Sequence, residues 1–140
     1  MVRVLMHGCC GAMGRVITGL AADREDLKIV AGVDRNKDDS LGYPVFQSLE
    51  ACDVEVDAII DFTAAPAVDH LLDYCAEKKV PVVLCSTGLS DAQMAKVSES
   101  AKKVAVLRSA NMSLGINLLM KLVKDAAATL ADAGFDIEIV

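Results

Sequence analysis

The sequence predicts a doubly wound α/β fold, a mostly parallel sheet with helices on both faces. Short Val/Ile-rich runs alternate with amphipathic segments along the chain, the pattern of successive βα units with right-handed crossovers. Apolar residues make up 54% of the 140 positions and aromatic ones only 4%, so the core must be aliphatic, as in parallel strands covered on both sides. The first apolar run also leads through a glycine-spaced turn into a helical pattern, as a βαβ unit begins. Residues 1–140 read as one domain, large enough for its own core and free of repeats or linkers.

Residues 2–6 form the first expected strand, followed by Gly8-Cys9-Cys10-Gly11-Ala12-Met13-Gly14 and a helix with Val16, Ile17 and Leu20. Residues 28–34 make a second strand ending in an acid, and 36–44 a polar loop with Gly42 and Pro44. A short helix is expected over 47–53, opened by Ser48, and a third strand over 56–62. Pro66 suits the first turn of a helix running to about Lys79, with Val68, Leu71, Leu72 and Cys75 on its inner face. A fourth strand spans 82–85. Ser90 and Gln93 then form a capping-box pattern for the next helix. Residues 104–107 give a fifth strand, and 114–132 a long helix with Leu118, Leu119, Leu122, Val123, Ala126 and Leu130 inward, stopped by Gly134. Residues 135–140 alternate apolar and acidic, as another strand would. The expectation is a longer chain of which this is the first part.

Composition excludes several classes of function. Net charge is −6 and no Lys/Arg cluster exceeds a pair, which argues against nucleic acid as a partner. No apolar run reaches the ~18 residues of a membrane span, and residues 1–20 lack the pattern of a signal peptide. The five cysteines fit small buried hydrophobes in a reducing cytoplasm. A vicinal disulfide or a reactive thiol at Cys9-Cys10 is the alternative. Neither His7, read as a packed strand-end residue, nor His70, read as a surface residue, has the companions of a metal or nucleophilic site, so no metal is expected.

The glycine turn carries the chemistry. Gly11 and Gly14 fit the last two positions of a G-x-G-x-x-G turn, while Cys9 stands at the first. Gly11 would admit a pyrophosphate close to the backbone, and Gly14 would let the helix pack on the strand. Asp34 follows Gly14 at the distance of the acid that accepts hydrogen bonds from an adenosine ribose, and Arg35 beside it can stack on adenine or pair with a 2′-phosphate. Binding of NADH and NADPH is therefore expected. The strand-end loops Asp61-Phe62-Thr63, Cys85-Ser86-Thr87-Gly88 and Ser109-Ala110-Asn111-Met112-Ser113 offer small polar groups for the nicotinamide half. Asp61 reads equally as a capping acid or a ligand contact.

Together Gly8-x-x-Gly11-x-Met13-Gly14, Asp34-Arg35, Asp61-Phe62-Thr63, Ser86-Thr87-Gly88 and Asn111-Met112-Ser113-Leu114-Gly115-Ile116-Asn117 resemble the dihydrodipicolinate reductases. The resemblance covers essentially the whole chain and implies the Rossmann-type cofactor domain of that family. It implies a reductase of bacterial lysine and diaminopimelate biosynthesis, in which nicotinamide delivers hydride to a small cyclic dicarboxylate. It further implies that Gly8, Cys9, Cys10, Gly11, Ala12 and Met13 hold the pyrophosphate and that Asp34 and Arg35 hold the adenosine end. Cys85, Ser86 and Thr87, with Ser109, Ala110, Asn111 and Met112, would frame the nicotinamide, and Thr87 would also reach the substrate. The family's catalytic α+β domain, with its protonating His and Lys, would follow Val140, so no catalytic residue is expected here. A cytoplasmic homotetramer is implied for the complete enzyme and a monomer for this piece. Ala12 stands where a basic residue is common, Cys85-Ser86 where Gly-Thr is, and Arg108 where an apolar residue is. The first two departures bear on cofactor preference. Two other readings stay open: the cofactor domain of another NAD(P)-dependent dehydrogenase, such as one acting on an amino acid, and a nucleotide-sensing module without chemistry.

Overall fold

A computed structural model describes residues 1–138. It divides into two compact units, Met1–Ala110 and Asn111–Val140. The first unit holds a six-stranded sheet in the order β3-β2-β1-β4-β5-β6, and every neighbouring pair is parallel. The strands are β1 (Val2–His7), β2 (Leu27–Val33), β3 (Val45–Phe46), β4 (Ala58–Asp61), β5 (Val82–Leu84) and β6 (Val106–Arg108). Strand order reverses between β1 and β4, the position where open α/β sheets form a crevice at their carboxyl ends.

Alternation along β1 shows how the two faces are assigned. Val4 and Met6 join one cluster with Cys9, Ala21 and Ile29, and Ile17 of α1 (Ala12–Ala22) packs against it. Leu5 points into the other cluster, with Ile59, Leu84, the Val68, Leu71, Leu72 and Cys75 stripe of α2 (Val68–Lys78), and Val97 of α3 (Asp91–Ser100). Leu5, Ile59, Leu71 and Leu72 are fully buried, each contributing about 1.5–3 kcal/mol by removal from water. Both expected start signals before these helices operate. Pro66 sits in a 3-10 turn, Ala65–Ala67, that leads into α2. Ser90 and Gln93 close a reciprocal capping box on α3.

Three elements differ from the sequence expectation. Residues 47–53 form bends and a turn rather than a helix. The segment is tied down by one buried side chain, Leu49, and by the Ser48 hydroxyl, which accepts from Ala51 N–H at 3.2 Å. One apolar anchor in seven residues sets no helical stripe. Just before it, Val45 and Phe46 add an unexpected edge strand opposite Gly32 and Val33. The sixth strand starts at Val106 rather than 104, because the chain after α3 still folds back, Val104 N–H donating to the Ser100 carbonyl at 3.1 Å.

The second unit contains α4 (Leu114–Asp132), with Ser113 Oγ accepting from Ile116 N–H at its start and Gly134 at φ +84° just past its end. The apolar stripe expected to face inward is present, but no residue of α4 is buried. Periodicity says that a face is apolar, not what covers it. Residues 135–138 carry no strand. The last part of the strand expected over 135–140 lies outside the described residues. Among the described residues no helix is long and apolar enough to cross a membrane.

Candidate functional site

The site begins where β1 ends. Gly8 turns the chain with φ +85°, donates its N–H to the Val33 carbonyl at 2.8 Å, and lies so near the Phe62 carbonyl that a Cβ would come within 3.0 Å of it. Gly14 is packed tighter still: a Cβ there would fall 2.3 Å from the Gly8 carbonyl oxygen and 2.7 Å from Cys9 Cα. The first turn of α1 therefore rests directly on backbone. Gly11 is the N-cap of α1, is exposed, and supplies no capping side chain, and the first turn carries no acid. The leading N–H groups of the helix are left with no side-chain acceptor, next to the positive end of its dipole.

Asp34 braces this turn from the end of β2. Its Oδ2 accepts from Cys10 N–H at 3.1 Å and its Oδ1 from Asn36 N–H at 3.0 Å, which leaves carboxylate lone pairs free for further donors. Arg35 is exposed, and its carbonyl accepts from Gln47 Nε2 at 3.4 Å. Arg15 is a second clamp on the turn. Its Nε donates to the Cys10 carbonyl at 3.3 Å while its guanidinium pairs with Asp38 at 2.5 Å. Hydrogen bonds from Ser40, then Arg15, hold the Asp38 carboxyl down at about 2. No sequence pattern marks Arg15, since its partner lies 23 residues away in an irregular loop.

A cavity of about 700 Å³ opens over these groups, a size that suits a ligand site. Its walls include Gly8, Gly11, Asp34 and Arg35, together with His7, Gln47, Phe62, Thr63 and Pro66. Gln47 and Pro66 reach it only through the tertiary fold, Gln47 from the end of β3 and Pro66 from the turn before α2.

Across the strand-order reversal, the ends of β1 and β4 are in register, His7 opposite Asp61. Asp61 is fully buried. It accepts from the Thr63 hydroxyl at 2.7 Å and the Ser86 hydroxyl at 2.6 Å, and His7 Nδ1 lies 2.8 Å from its Oδ1. The Ser86 oxygen is also 2.9 Å from the Thr63 carbonyl. A hydroxyl has one proton, and the carboxylate is the stronger acceptor. The His7 approach is close but off-axis, since Nδ1 has no aligned hydrogen-bond partner among the described residues. Burial alone would raise the Asp61 carboxyl. His7, Ser86 and Thr63 together outweigh burial and hold it below the usual carboxylate range. Asp61 does not cap the turn or helix that follows, whose starts have no side-chain cap; it braces the ends of β4 and β5 instead.

The remaining expected site residues lie at two places. Cys85 and Ser86 are buried just past β5 and Thr87 is exposed. Burial, then Asp61, pushes the Cys85 thiol up. Ser109 follows β6, its N–H donating to the Leu84 carbonyl at 3.1 Å, so Ser109 and Ala110 end the strand beside β5. Asn111 and Met112 belong to the second unit. There Asn111 Oδ1 accepts from Ser113 N–H at 2.8 Å, and Asn117 Nδ2 donates to the carbonyls of Asn111 and Ser113. The Asn111–Asn117 motif is thus a self-capped start to α4.

A profile of the family described as "Dihydrodipicolinate reductase, N-terminus" matches residues 2–112. The chain belongs to this family. All 140 residues align at 46% identity with a 4-hydroxy-tetrahydrodipicolinate reductase of Clostridium novyi (strain NT), covering 55% of that protein. A protein of the same description from Caldanaerobacter subterraneus subsp. tengcongensis is also 46% identical, over the whole chain and 55% of its own length. Among solved structures, a dipicolinate-bound dihydrodipicolinate reductase from Paenisporosarcina sp. TG-14 superposes with a TM-score of 0.81 at 27% identity, over 91% of this chain and 54% of that one. The chain spans about half the length of the curated relatives it matches. In this dihydrodipicolinate reductase N-terminal region, the profile match takes in the glycine turn, Asp34-Arg35, the loops after β4 and β5 and the start of the loop after β6, to Met112.

Proposed function

We propose that this chain is the NAD(P)H-binding part of a 4-hydroxy-tetrahydrodipicolinate reductase, which acts on a small cyclic dicarboxylate in lysine and diaminopimelate biosynthesis. The observation that carries the reading is the turn from Gly8 to Gly14. Its backbone is held open by Gly8, at φ +85°, and by Gly14, where any Cβ would collide with backbone, and the N-terminus of α1 has no side-chain cap. Such a cradle suits a pyrophosphate, and the strand-end carboxylate of Asp34 suits ribose hydroxyls.

In this reading Gly8, Cys9, Cys10, Gly11, Ala12 and Met13 hold the pyrophosphate: the N–H groups that open α1 at Ala12 and Met13 donate to it, while those of Gly8, Cys10 and Gly11 shape the turn by donating to Val33, Asp34 and Gly8. Asp34 accepts from the adenosine ribose, and Arg35, exposed at the mouth of the cavity, meets the adenine or a 2′-phosphate. Cys85, Ser86 and Thr87, with Ser109, Ala110, Asn111 and Met112, frame the nicotinamide end, and Thr87 extends toward substrate. Bound nicotinamide supplies the hydride. Asp61 acts one step back from the ligand: by fixing Ser86 and Thr63 it holds the ends of β4 and β5 in one geometry, which orients whatever lies above them. No residue of this chain is assigned the transfer of a proton to substrate. A cytoplasmic setting and a homotetrameric complete enzyme go with the same reading.

Fluorescence titration of the chain with NADH and with NADPH tests the proposal. Both cofactors should bind. Arg35→Ala should weaken NADPH roughly ten- to hundredfold, the effect of one lost charge-assisted hydrogen bond of about 1.5–3 kcal/mol, and leave NADH within about twofold. Absence of binding for either cofactor would sink the reading. An equal loss for both would remove the 2′-phosphate role of Arg35.

A further inference from the structure

The glycine turn also brings together two thiols and a carboxylate. Cys9 Sγ, Cys10 Sγ and a carboxylate oxygen of Asp34 all lie within 4.8 Å of one another. The two sulfurs are 3.9 Å apart and not bonded to each other. Zinc–thiolate bonds of about 2.3 Å in a tetrahedral site set a sulfur–sulfur edge of about 3.8 Å. The free protein already holds the pair at that spacing. Gly32 in β2 makes the room for it, since a Cβ there would lie 2.6 Å from Cys9 Sγ. Cys10 is half-buried and, besides the Cys9 sulfur, its thiol meets the Asn36 carbonyl at 3.4 Å, so the approach runs past Cys10 and Asp34.

We infer that Cys9, Cys10 and Asp34 form a binding site for a soft divalent cation of the zinc class, and that the occupied site excludes a dinucleotide. Two thiolates and a carboxylate are a donor set for zinc or cadmium rather than for magnesium or calcium, with solvent as the fourth ligand. On binding, each S–H bond breaks, a metal–sulfur bond replaces it, and two protons pass to solvent. The site then carries a net charge of −1. Exclusion follows because the cation takes up the Asp34 carboxylate and places two anionic sulfurs in the turn meant for pyrophosphate. That second half of the inference rests on the cofactor reading above. The first half does not.

Titration of the reduced chain with cadmium ion, read by thiolate-to-metal charge-transfer absorbance, tests the site. Wild type should saturate at one equivalent with the intensity of two thiolates. Cys10→Ser should halve that intensity and weaken cadmium at least tenfold, while Cys52→Ser should change neither. Asp34→Asn should keep the two-thiolate intensity and weaken cadmium about tenfold or more, because loss of an outer-shell partner alone costs ~10–100-fold. If Cys10→Ser titrates like wild type, the cation sits elsewhere and the site is wrong. In the second arm, one equivalent of zinc should weaken NADH binding at least tenfold and a chelator should restore it. Unchanged NADH affinity in the zinc-loaded protein would overturn the exclusion. Should the metal-free chain bind neither dinucleotide, the cofactor reading falls with the exclusion, and the cadmium titration still decides the site.

Discussion

The carboxyl edge of the sheet is built in two ways. Between β1 and β2 it is made of backbone: Gly14 lets the helix start stack on the turn at a distance that no Cβ tolerates, Gly8 and Gly11 are nearly as crowded at 3.0 and 3.3 Å, and Asp34 ties that turn to the next strand. Between β4 and β5 it is made of side chains: one buried carboxylate, Asp61, gathers Ser86, Thr63 and His7. The first construction leaves N–H groups facing outward, so it can receive an anion. The second gathers its polar groups on a buried carboxylate, with His7 and Thr63 also reaching the cavity wall, so it fixes the geometry of the strand ends beneath a ligand. A single added methyl group attacks the first, and a single lost charge attacks the second.

The largest effect is expected at the backbone-built half. Gly14→Ala places a methyl 2.3 Å from one backbone oxygen and 2.7 Å from Cys9, and neither can rotate away as a side chain would. The helix must lift from the turn, costing about 3 kcal/mol or more, the upper end of overpacking effects. Urea denaturation measures the loss, and NADH titration of any folded fraction should show binding weakened at least tenfold. A folded Gly14→Ala with wild-type affinity would mean that the tight stacking is irrelevant to the ligand.

Asp61→Asn comes next. The substitution keeps the shape but removes the charge that the Ser86 and Thr63 hydroxyls and His7 surround, and it should cost about 2–3 kcal/mol. The pH dependence gives an independent check. The folded carboxyl titrates below its unfolded value of about 3.9, so between the two the unfolded chain binds more protons. The stabilisation is complete above the unfolded value and is lost as pH falls through the folded one. The stability gap between wild type and Asp61→Asn should therefore narrow below about pH 4. A gap that stays constant from pH 6 to pH 3 would show that the Asp61 carboxyl titrates alike in the folded and unfolded chain, and a gap that widens as pH falls would show that the folded carboxyl keeps its proton.

The same contrast explains what can be read from the sequence. Glycines and a strand-end acid mark a backbone-built turn because they sit at set intervals along the chain, so Gly8, Gly11, Gly14 and Asp34 are legible from their spacing alone. The Asp61 network is legible only in part: Asp61, Thr63 and Ser86 stand out as strand-end residues, but His7 joins them through a register between β1 and β4 that no local pattern encodes. Arg15 escapes notice for the same reason, its partner Asp38 lying in a loop. Leu114–Asp132 is legible to the residue from its cap and stop, yet the inward face assigned to it is not, because an apolar stripe does not name its cover. The helix expected over 47–53 fails because tertiary burial of Leu49 and pairing of Val45-Phe46 with β2 outweigh a weak local preference.

The smallest effect sharpens the comparison within one helix. Gly19 lies in α1 about one and a half turns past Gly14, yet a Cβ there would meet nothing within 4 Å. Gly19→Ala should therefore stabilise the chain by roughly 0.5–1 kcal/mol, the helix-interior difference between the two residues. NADH affinity should be unchanged. Met13, Val16 and Leu20 on the same helix are exposed as well, so the result also reports on that surface. If Gly19→Ala raised stability as expected, the outer side of α1 would be open to solvent and the demand for glycine would be confined to its first turn. Destabilisation by Gly19→Ala would instead mean that something packs closely on that side in solution, and the contrast between the two glycines would then lie in what covers α1 rather than in the turn.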